Sequence, residues 1–131
     1  EIRARDMMQA GVVSVDGWID LMTLVNEYFL KYHFNAVPVM VGNVPGGVAL
    51  FDNIRRIPRE LWPRIAALDV MSTDLASWTA REDESAEKLF FLIMQKGISP
   101  VAVLGPDGWI SGIVTRRGFS TYLKEMRYRL K

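Results

Sequence analysis

The chain has 131 residues, half of them hydrophobic and 24% charged, which is the composition of a folded globular protein and excludes extensive disorder. Cysteine is absent and His33 is the single histidine, so disulfide scaffolds, thiolate nucleophiles and zinc sites built from Cys or several His are excluded. No apolar run approaches the roughly 18 residues that span a bilayer. Because the chain begins at Glu1 rather than Met, we expect it to be part of a longer protein.

The net charge of +1 hides an asymmetry along the chain. From Arg116 onward there are six basic residues and one acid, whereas the preceding residues include ten bases and fourteen acids. A cationic end of this kind contacts nucleic acid, anionic lipid or a phosphorylated ligand, or it is simply a solvated helix face. We favour the solvated face and expect no nucleic-acid partner.

The first half of the chain predicts a series of short elements that ends in a closing helix. After the first strand, apolar residues recur at spacings of three and four, which is typical of an amphipathic helix packed on a core. Pro58 cannot continue a helix and therefore ends the closing one. The predicted elements are a helical turn at residues 4–8, a strand at 12–15, a helix whose apolar face is Trp18, Met22, Val25, Phe29 and Tyr32, a hairpin of strands 36–41 and 47–51, and a closing helix at 52–56.

The second half predicts the same order of elements. Asp83 is placed to cap its amphipathic helix, and Gly97 stands where a helix ends on a left-handed residue. Pro106-Asp107-Gly108 is a strong hairpin-turn signal. The predicted elements are a helical turn at residues 67–71, a strand at 75–78, a helix whose apolar face includes Ala86, Leu89, Phe90 and Ile93, a hairpin of strands 100–104 and 109–115, and a closing helix at 117–129.

Four short motifs occur twice in the same order, 62 to 65 positions apart, which indicates an internal repeat. We place the first unit at residues 1–62 and the second at residues 63–131, and predict an α+β fold of two β-α-β-β-α repeats. Since neither half has enough core to stand alone, we expect them to pack about a pseudo-twofold axis. The motif pairs are Arg5-Asp6-Met7-Met8 with Leu68-Asp69-Val70-Met71, Val13-Ser14-Val15 with Ala76-Ser77-Trp78, Val37-Pro38-Val39 with Ser99-Pro100-Val101, and Gly47-Val48-Ala49-Leu50 with Gly112-Ile113-Val114-Thr115.

This arrangement resembles a tandem CBS domain pair, or Bateman module, over nearly the whole chain. The motifs that carry the resemblance are Asp-x-Met before the first strand, hydrophobic-Pro-Val opening the middle strand, and Gly followed by two hydrophobic residues and Thr before the last helix. The resemblance implies a regulatory, non-catalytic module that binds adenine nucleotides or adenosyl ligands in clefts between the two units. It also implies a homodimer, for which the surplus aromatic surface of the two long helices supplies a physical reason.

A second resemblance concerns the larger protein. The segments 34–39 and 54–62 are similar to CBS pairs attached to site-2-type (M50) membrane zinc metalloproteases, although the zinc-binding His-Glu-x-x-His motif of those enzymes is absent from this chain. The resemblance implies a cytoplasmic domain attached to a membrane protein, with the remainder of that protein as its partner.

The family resemblance also implies where a nucleotide binds, because a Thr-x-x-Asp segment at the last strand-to-helix junction holds the ribose and a phosphate. In the second unit the Thr is Thr115, Gly118 stands in place of the Asp, and Arg116 and Arg117 are placed to meet a phosphate. In the first unit Leu50 replaces the Thr and Asn53 the Asp, so we expect that cleft to be empty or to take an apolar ligand. The predicted walls are Ile98, Ser99 and Pro100 in the second unit and Ala36, Val37 and Pro38 in the first.

Three functions are therefore open. One is a sensor of AMP, ADP, ATP or an adenosyl compound at the Thr115 cleft, with no covalently bound cofactor and no metal. Another is a dimerisation or interdomain-contact module that binds no nucleotide, which the loss of both acidic ribose partners favours. The remaining one is contact of the basic closing helix with nucleic acid or lipid. A catalytic role is not expected, because we find no nucleophile–base pair and no metal-ligand set.

Overall fold

A computed structural model of the chain describes residues 1–129. It contains two compact units, which are described separately below. The middle unit comprises Val13–Trp78, and the terminal unit comprises Glu1–Val12 together with the chain from Thr79 onward. The sequence repeats divide between residues 62 and 63, whereas each of these units contains a short segment of the other repeat: the terminal unit includes Glu1–Val12, and the middle unit extends to Trp78.

The middle unit is built on a three-stranded sheet of β1 (Val15–Asp16), β2 (Ala36–Val41) and β3 (Val44–Leu50), in that order. Strand β1 is parallel to β2, and β2 is antiparallel to β3. A two-residue turn connects β2 and β3, and Gly42 takes a φ of +64° there, which favours glycine. The helices are α2 (Leu21–Leu24), which continues as a π-helical segment over Val25–Leu30, α3 (Phe51–Ile54), a 3-10 helix (Arg59–Arg64), α4 (Ala67–Val70) and α5 (Leu75–Trp78).

Burial of one face of this sheet under α2 and the 3-10 helix forms the core of the middle unit. Helix α2 starts at Asp20, whose carboxylate accepts hydrogen bonds from the Thr23 backbone N–H at 3.0 Å and from its hydroxyl at 2.7 Å. These two bonds hold the pKa of Asp20 below its ordinary value. The buried residues of this core are Val15, Leu21, Leu24, Val25, Phe29, Val37, Val39, Ala49, Ile54, Trp62 and Ala67.

The terminal unit repeats this arrangement. Its sheet has the order β4 (Thr79–Arg81), β5 (Val101–Leu104) and β6 (Ile110–Val114), with β4 parallel and β6 antiparallel to β5. Its largest fully buried side chains are Leu89, Leu92, Ile93, Val101, Val103, Val114 and Phe119. The helices are α1 (Ala4–Met7), α6 (Ala86–Phe90) with a π-helical continuation over Phe91–Gln95, and α7 (Arg116–Arg129). Two sheets with helices confirm the predicted α+β fold class.

The two units are completed by exchanged segments. Gln9 and Ile113 donate their backbone N–H groups to each other's carbonyls at 2.9 and 3.1 Å, which adds the segment after α1 to the free edge of β6. In the middle unit Ser72 and Val48 form the same pair of bonds, both 2.9 Å, at the edge of β3. Both edges are therefore covered by the segment that follows the repeated Asp-x-Met motif.

The repeated glycines and methionines of the sequence meet at these edges. A Cβ built on Gly112 would lie 3.0 Å from Met8 Sδ, and one on Gly47 would lie 2.8 Å from Met71 Sδ. Only a residue without a side chain leaves room for the added segment at this distance. The close approach explains why the Met and Gly motifs recur together in the sequence.

Several predicted elements are wrong or displaced. Residues 75–78 were predicted as a strand and form helix α5: the Ser77 N–H donates to the Asp74 carbonyl at 3.2 Å, which closes a helical turn, and the Ser77 hydroxyl donates to the Asp74 carboxylate. The first strand lies at Val15–Asp16 rather than 12–15. Trp18 was predicted on a buried helix face, but it lies in the turn before α2 and is 79% exposed.

Of the two helix ends predicted in the second half of the chain, the N-terminal cap is wrong and the C-terminal glycine is confirmed. Asp83 was predicted to cap α6, yet the helix begins after Ser85, and Asp83 instead pairs with Arg81 at 3.4 Å. Gly97 has a φ of +72°, which confirms the left-handed helix end.

Candidate functional site

The strand-to-helix junction of the terminal unit brings most of the predicted site residues together. Strand β6 ends at Val114, Thr115 follows, and α7 begins at Arg116. The backbone N–H of Arg116 donates to the Ser99 hydroxyl at 3.1 Å, so the segment before β5 lies against the start of α7. The predicted wall and the predicted phosphate-binding residues are therefore neighbours.

Two hydroxyls satisfy the first turn of α7. Thr115 Oγ1 accepts a hydrogen bond of 3.0 Å from the Gly118 N–H, which is the geometry of an N-cap, and Ser99 Oγ accepts the Arg116 N–H. A helix N-terminus attracts a phosphate through the N–H groups of its first turn that lack a partner. Here side-chain oxygens of the same unit occupy two of those donors, so the attraction for a phosphate rests more on the Arg116 and Arg117 side chains.

The wall residues of this junction differ in exposure. Ile98 is 3% exposed and Pro100 is buried, whereas Ser99 is half-buried and presents its hydroxyl to α7. The Ser99–Pro100 peptide bond is cis. Ile98 and Pro100 thus belong to the packed interior, and Ser99 is the residue of this segment with a polar group at the junction.

The two charged side chains at the junction are those of Arg116 and Arg117. Both are exposed, and neither forms an ion pair with a carboxylate in residues 1–129. A guanidinium without a carboxylate partner is available to bind a phosphate.

Gly118 leaves little space at the position where the family resemblance places a carboxylate. A Cβ built there would lie 3.1 Å from Thr115 Oγ1, which is a tight contact. A larger residue at this position requires the Thr115 hydroxyl to move by a few tenths of an ångström. A carboxylate side chain at position 118 would therefore displace the Thr115 hydroxyl that caps α7, so the present cap favours glycine over the ribose-binding Asp.

The corresponding junction of the middle unit lacks the hydroxyl cap. Leu50 is at the N-cap of α3, makes no side-chain hydrogen bond there, and is 7% exposed. The Phe51 N–H donates to the Asn35 carbonyl at 2.9 Å, which holds the start of β2 beside α3. Asn53 is exposed on α3, whereas the predicted walls are buried in β2 and pair with β3; they are Ala36, Val37 and Pro38.

Other candidate chemistry finds no support in the described residues. His33 is exposed and takes a φ of +58° just past the first long helix, and residues 1–129 contain no group of three or more potential metal ligands. Within the same residues, every helix is too short or too polar to cross a membrane.

Comparison with known proteins supports the CBS assignment. Residues 66–125 match the family model of the CBS domain. A search of curated proteins finds no match.

Solved structures cover nearly the whole chain. The sequence of CBSX2, solved in complex with AMP, is 18% identical to this chain; the match covers 97% of this chain and 99% of CBSX2, with a TM-score of 0.75. The CBS domain pair of protein MJ0100, in complex with 5′-methylthioadenosine and S-adenosyl-L-methionine, is 18% identical, with coverages of 95% and 98% and a TM-score of 0.71. The CBS domain of a bacterial CNNM/CorC family Mg²⁺ transporter in complex with ATP is 17% identical, with coverages of 90% and 84% and a TM-score of 0.66. The chain therefore has the fold of a CBS domain pair.

Proposed function

We propose that this chain is a regulatory CBS-pair module that senses an adenine nucleotide or adenosyl ligand at the Thr115 junction. The observation that carries the proposal is the hydroxyl-capped start of α7 with two cations beside it, Arg116 and Arg117, which form no ion pair with any described carboxylate. Support comes from three proteins of the same fold whose structures contain AMP, ATP, or 5′-methylthioadenosine with S-adenosyl-L-methionine.

Binding at this junction should be weak and should depend on the phosphate. Gly118 has no side chain to accept the ribose hydroxyls, and loss of such a charge-assisted hydrogen bond costs about 1.5–3 kcal/mol. That cost lowers affinity roughly tenfold to hundredfold. The remaining attraction is that of exposed guanidinium groups, which salt screens strongly.

Calorimetric titration with AMP, ADP and ATP at low and high salt tests the proposal. We expect affinity to rise with the number of phosphates, to fall with salt, and to be lost in the double variant Arg116→Ala plus Arg117→Ala. The variant Lys124→Ala plus Arg127→Ala is the matched control, since it removes two cations from the same helix about two to three turns further along. Equal loss in both variants, or no binding to wild type, would refute the junction as the ligand site.

The alternative function is a dimerisation module that binds no nucleotide, and the apolar helix surfaces favour it. In the terminal unit Phe90, Phe91 and Met94 are 46%, 47% and 38% exposed on α6 and its continuation. In the middle unit Leu30 and Tyr32 are 58% and 48% exposed at the end of the corresponding helix. Apolar surface of this kind is typical of an interface between copies.

Light scattering distinguishes this second function. We expect a mass near twice the chain mass of 14.9 kDa at micromolar concentration, and a shift towards monomer in the variant Phe90→Ser plus Phe91→Ser. The variant Trp18→Ser is the control, because it removes an aromatic side chain that is more exposed but lies outside these helices. A monomeric wild type at all accessible concentrations would overturn the homodimer.

We further propose that the module regulates a larger protein, with a membrane zinc metalloprotease as the specific candidate. The support for that candidate is the resemblance of residues 34–39 and 54–62, while solved structures with the same fold include the CBS domain of a Mg²⁺ transporter. The sequence of the complete gene tests it, because the candidate requires a His-Glu-x-x-His motif in the same reading frame.

A further inference from the structure

The outer face of α7 is strongly cationic. The helix has 14 residues, which include five Arg or Lys and the single acid Glu125. Its inner face packs through Phe119, which is 1% exposed, and through the half-buried Tyr122 and Met126. The cations therefore lie on the side of the helix that solvent can reach.

Helix geometry aligns part of this charge in a stripe. Lys124 is seven residues, or about two turns, after Arg117, and Tyr128 is four residues further on the same side. Arg127 lies next to this stripe. We call these four residues, Arg117, Lys124, Arg127 and Tyr128, the cationic face; it spans about 16 Å along the helix axis.

The charge of the cationic face is not neutralised locally. None of its three cations forms an ion pair with a carboxylate in the part of the chain that the structure describes. Tyr128 is 82% exposed, the highest value among the large hydrophobic side chains described, and the neighbouring Leu123 is 36% exposed. An unpaired basic stripe with an exposed aromatic residue is therefore available for a partner.

We propose that the cationic face docks on the surface of a lipid bilayer that carries anionic headgroups. Cations beside exposed Tyr and Leu side chains are the combination by which interfacial helices bind such surfaces, through headgroup attraction and partial burial of the apolar side chains. A nucleic-acid partner fits less well, because such domains commonly have an isoelectric point above about 9. The value here is about 8.3, and the ten bases and fourteen acids before Arg116 give that part a charge of −4.

The expected attraction is modest. Each Lys or Arg near an anionic membrane raises the partition coefficient by about fivefold at physiological ionic strength. Three such residues raise it by roughly a hundredfold over a neutral surface. The docking would therefore orient a module that is already near a membrane, and would not anchor it alone.

Sedimentation with sucrose-loaded vesicles tests the proposal on the intact chain. The probes are vesicles of phosphatidylcholine with 30% phosphatidylserine and vesicles of pure phosphatidylcholine, at about 30 and 300 mM salt, where surface charges are weakly and strongly screened. We expect binding to the anionic vesicles at low salt only. The variant Lys124→Gln plus Arg127→Gln should lower the partition coefficient about thirtyfold, and Tyr128→Ser by a smaller factor that is independent of salt.

The controls separate this proposal from the nucleotide site. Arg56→Gln plus Arg64→Gln removes two exposed cations from the middle unit and should leave vesicle binding within about twofold of wild type. Nucleotide affinity should be unchanged in the Lys124 and Arg127 variant, so failure of one proposal is distinguishable from failure of the other. Equal loss in both charge variants, absence of binding to anionic vesicles, or tighter binding to a single-stranded or duplex oligonucleotide at the same salt would overturn the lipid assignment.

Discussion

The substitution Gly47→Ala tests the idea that exchanged segments complete each sheet. Its new methyl group would lie 2.8 Å from Met71 Sδ and 2.9 Å from Met71 Cγ, and would meet the backbone carbonyl of Ser72. The side chain of Met71 can rotate away, but the carbonyl cannot, because it accepts the Val48 N–H at 2.9 Å. The segment after α4 must therefore move off the edge of β3.

The size of the effect follows from these contacts. Overpacking of this kind costs about 1–3 kcal/mol, and the two Val48–Ser72 hydrogen bonds contribute about 0.5–1.5 kcal/mol each. Alanine loses less backbone entropy than glycine when a strand folds, which offsets about 0.5–1 kcal/mol of this cost. We expect a net loss of about 3 kcal/mol in the free energy of unfolding, measured by urea denaturation.

Two further glycines act as controls. Gly112→Ala meets Gln9 O at 2.9 Å and Met8 Sδ at 3.0 Å, so its looser fit should cost about half as much. Gly118→Ala lies in α7 with one contact of 3.1 Å to the Thr115 hydroxyl, and the better helix propensity of Ala should offset that contact. If Gly47→Ala costs no more than Gly118→Ala, the close approach of the exchanged segment does not stabilise the sheet.

Three other variants test the site and the core. Gly118→Asp should strengthen AMP binding tenfold or more, which is roughly the gain in affinity from one charge-assisted hydrogen bond to the ribose. If calorimetry shows no gain, the ribose does not lie at this position. Asp20→Ala should lower the unfolding free energy by about 0.5–2 kcal/mol through loss of the α2 cap. Because the pKa of Asp20 is lowered in the folded state, this contribution is present above the ordinary Asp pKa and is lost as pH falls through the pKa of the folded state. Urea denaturation at neutral and acidic pH should therefore show a smaller difference in unfolding free energy between wild type and variant in acid. Trp62→Phe should cost about 1–2 kcal/mol in the same assay, since the indole N–H donates to the Ile57 carbonyl at 3.0 Å, and a cost near zero would show that water replaces this bond.

Sequence periodicity predicts the long elements of this fold well, because burial imposes it. The hairpin of the terminal unit, the long amphipathic helices and helix α7 occur close to their predicted positions. In the other hairpin the second strand was predicted at 47–51, but β3 begins three residues earlier, at Val44, because the turn has two residues. The short elements are harder to predict, since one local hydrogen bond decides them. The Asp74–Ser77 contact, for example, lies in a helical turn where the pairing of Ala76-Ser77-Trp78 with Val13-Ser14-Val15 in the sequence repeat predicted a strand.

The segments of the candidate site could be proposed from the sequence, but their hydrogen bonding could not. The family resemblance drew attention to the segments around Ser99 and Thr115, and these two segments meet at the start of α7. Which donors remain open there depends on side-chain rotamers that no spacing encodes. Ser99, for example, was predicted only as a wall residue, and its hydroxyl accepts the Arg116 N–H at 3.1 Å.

The exchanged segments also bear on how such a chain could arise and fail. Each sequence repeat carries the strip of backbone that covers the other repeat's open strand, through Gln9 on β6 and Ser72 on β3. A chain with a single repeat would have to make the same pairing with a second molecule, so gene duplication converts an intermolecular swap into an intramolecular one. By the same reasoning, a proteolytic cut between the repeats would give two halves, each of which contains the edge segment that the other lacks. The two halves should reassociate when mixed, whereas either half alone has an open strand edge and is prone to self-association.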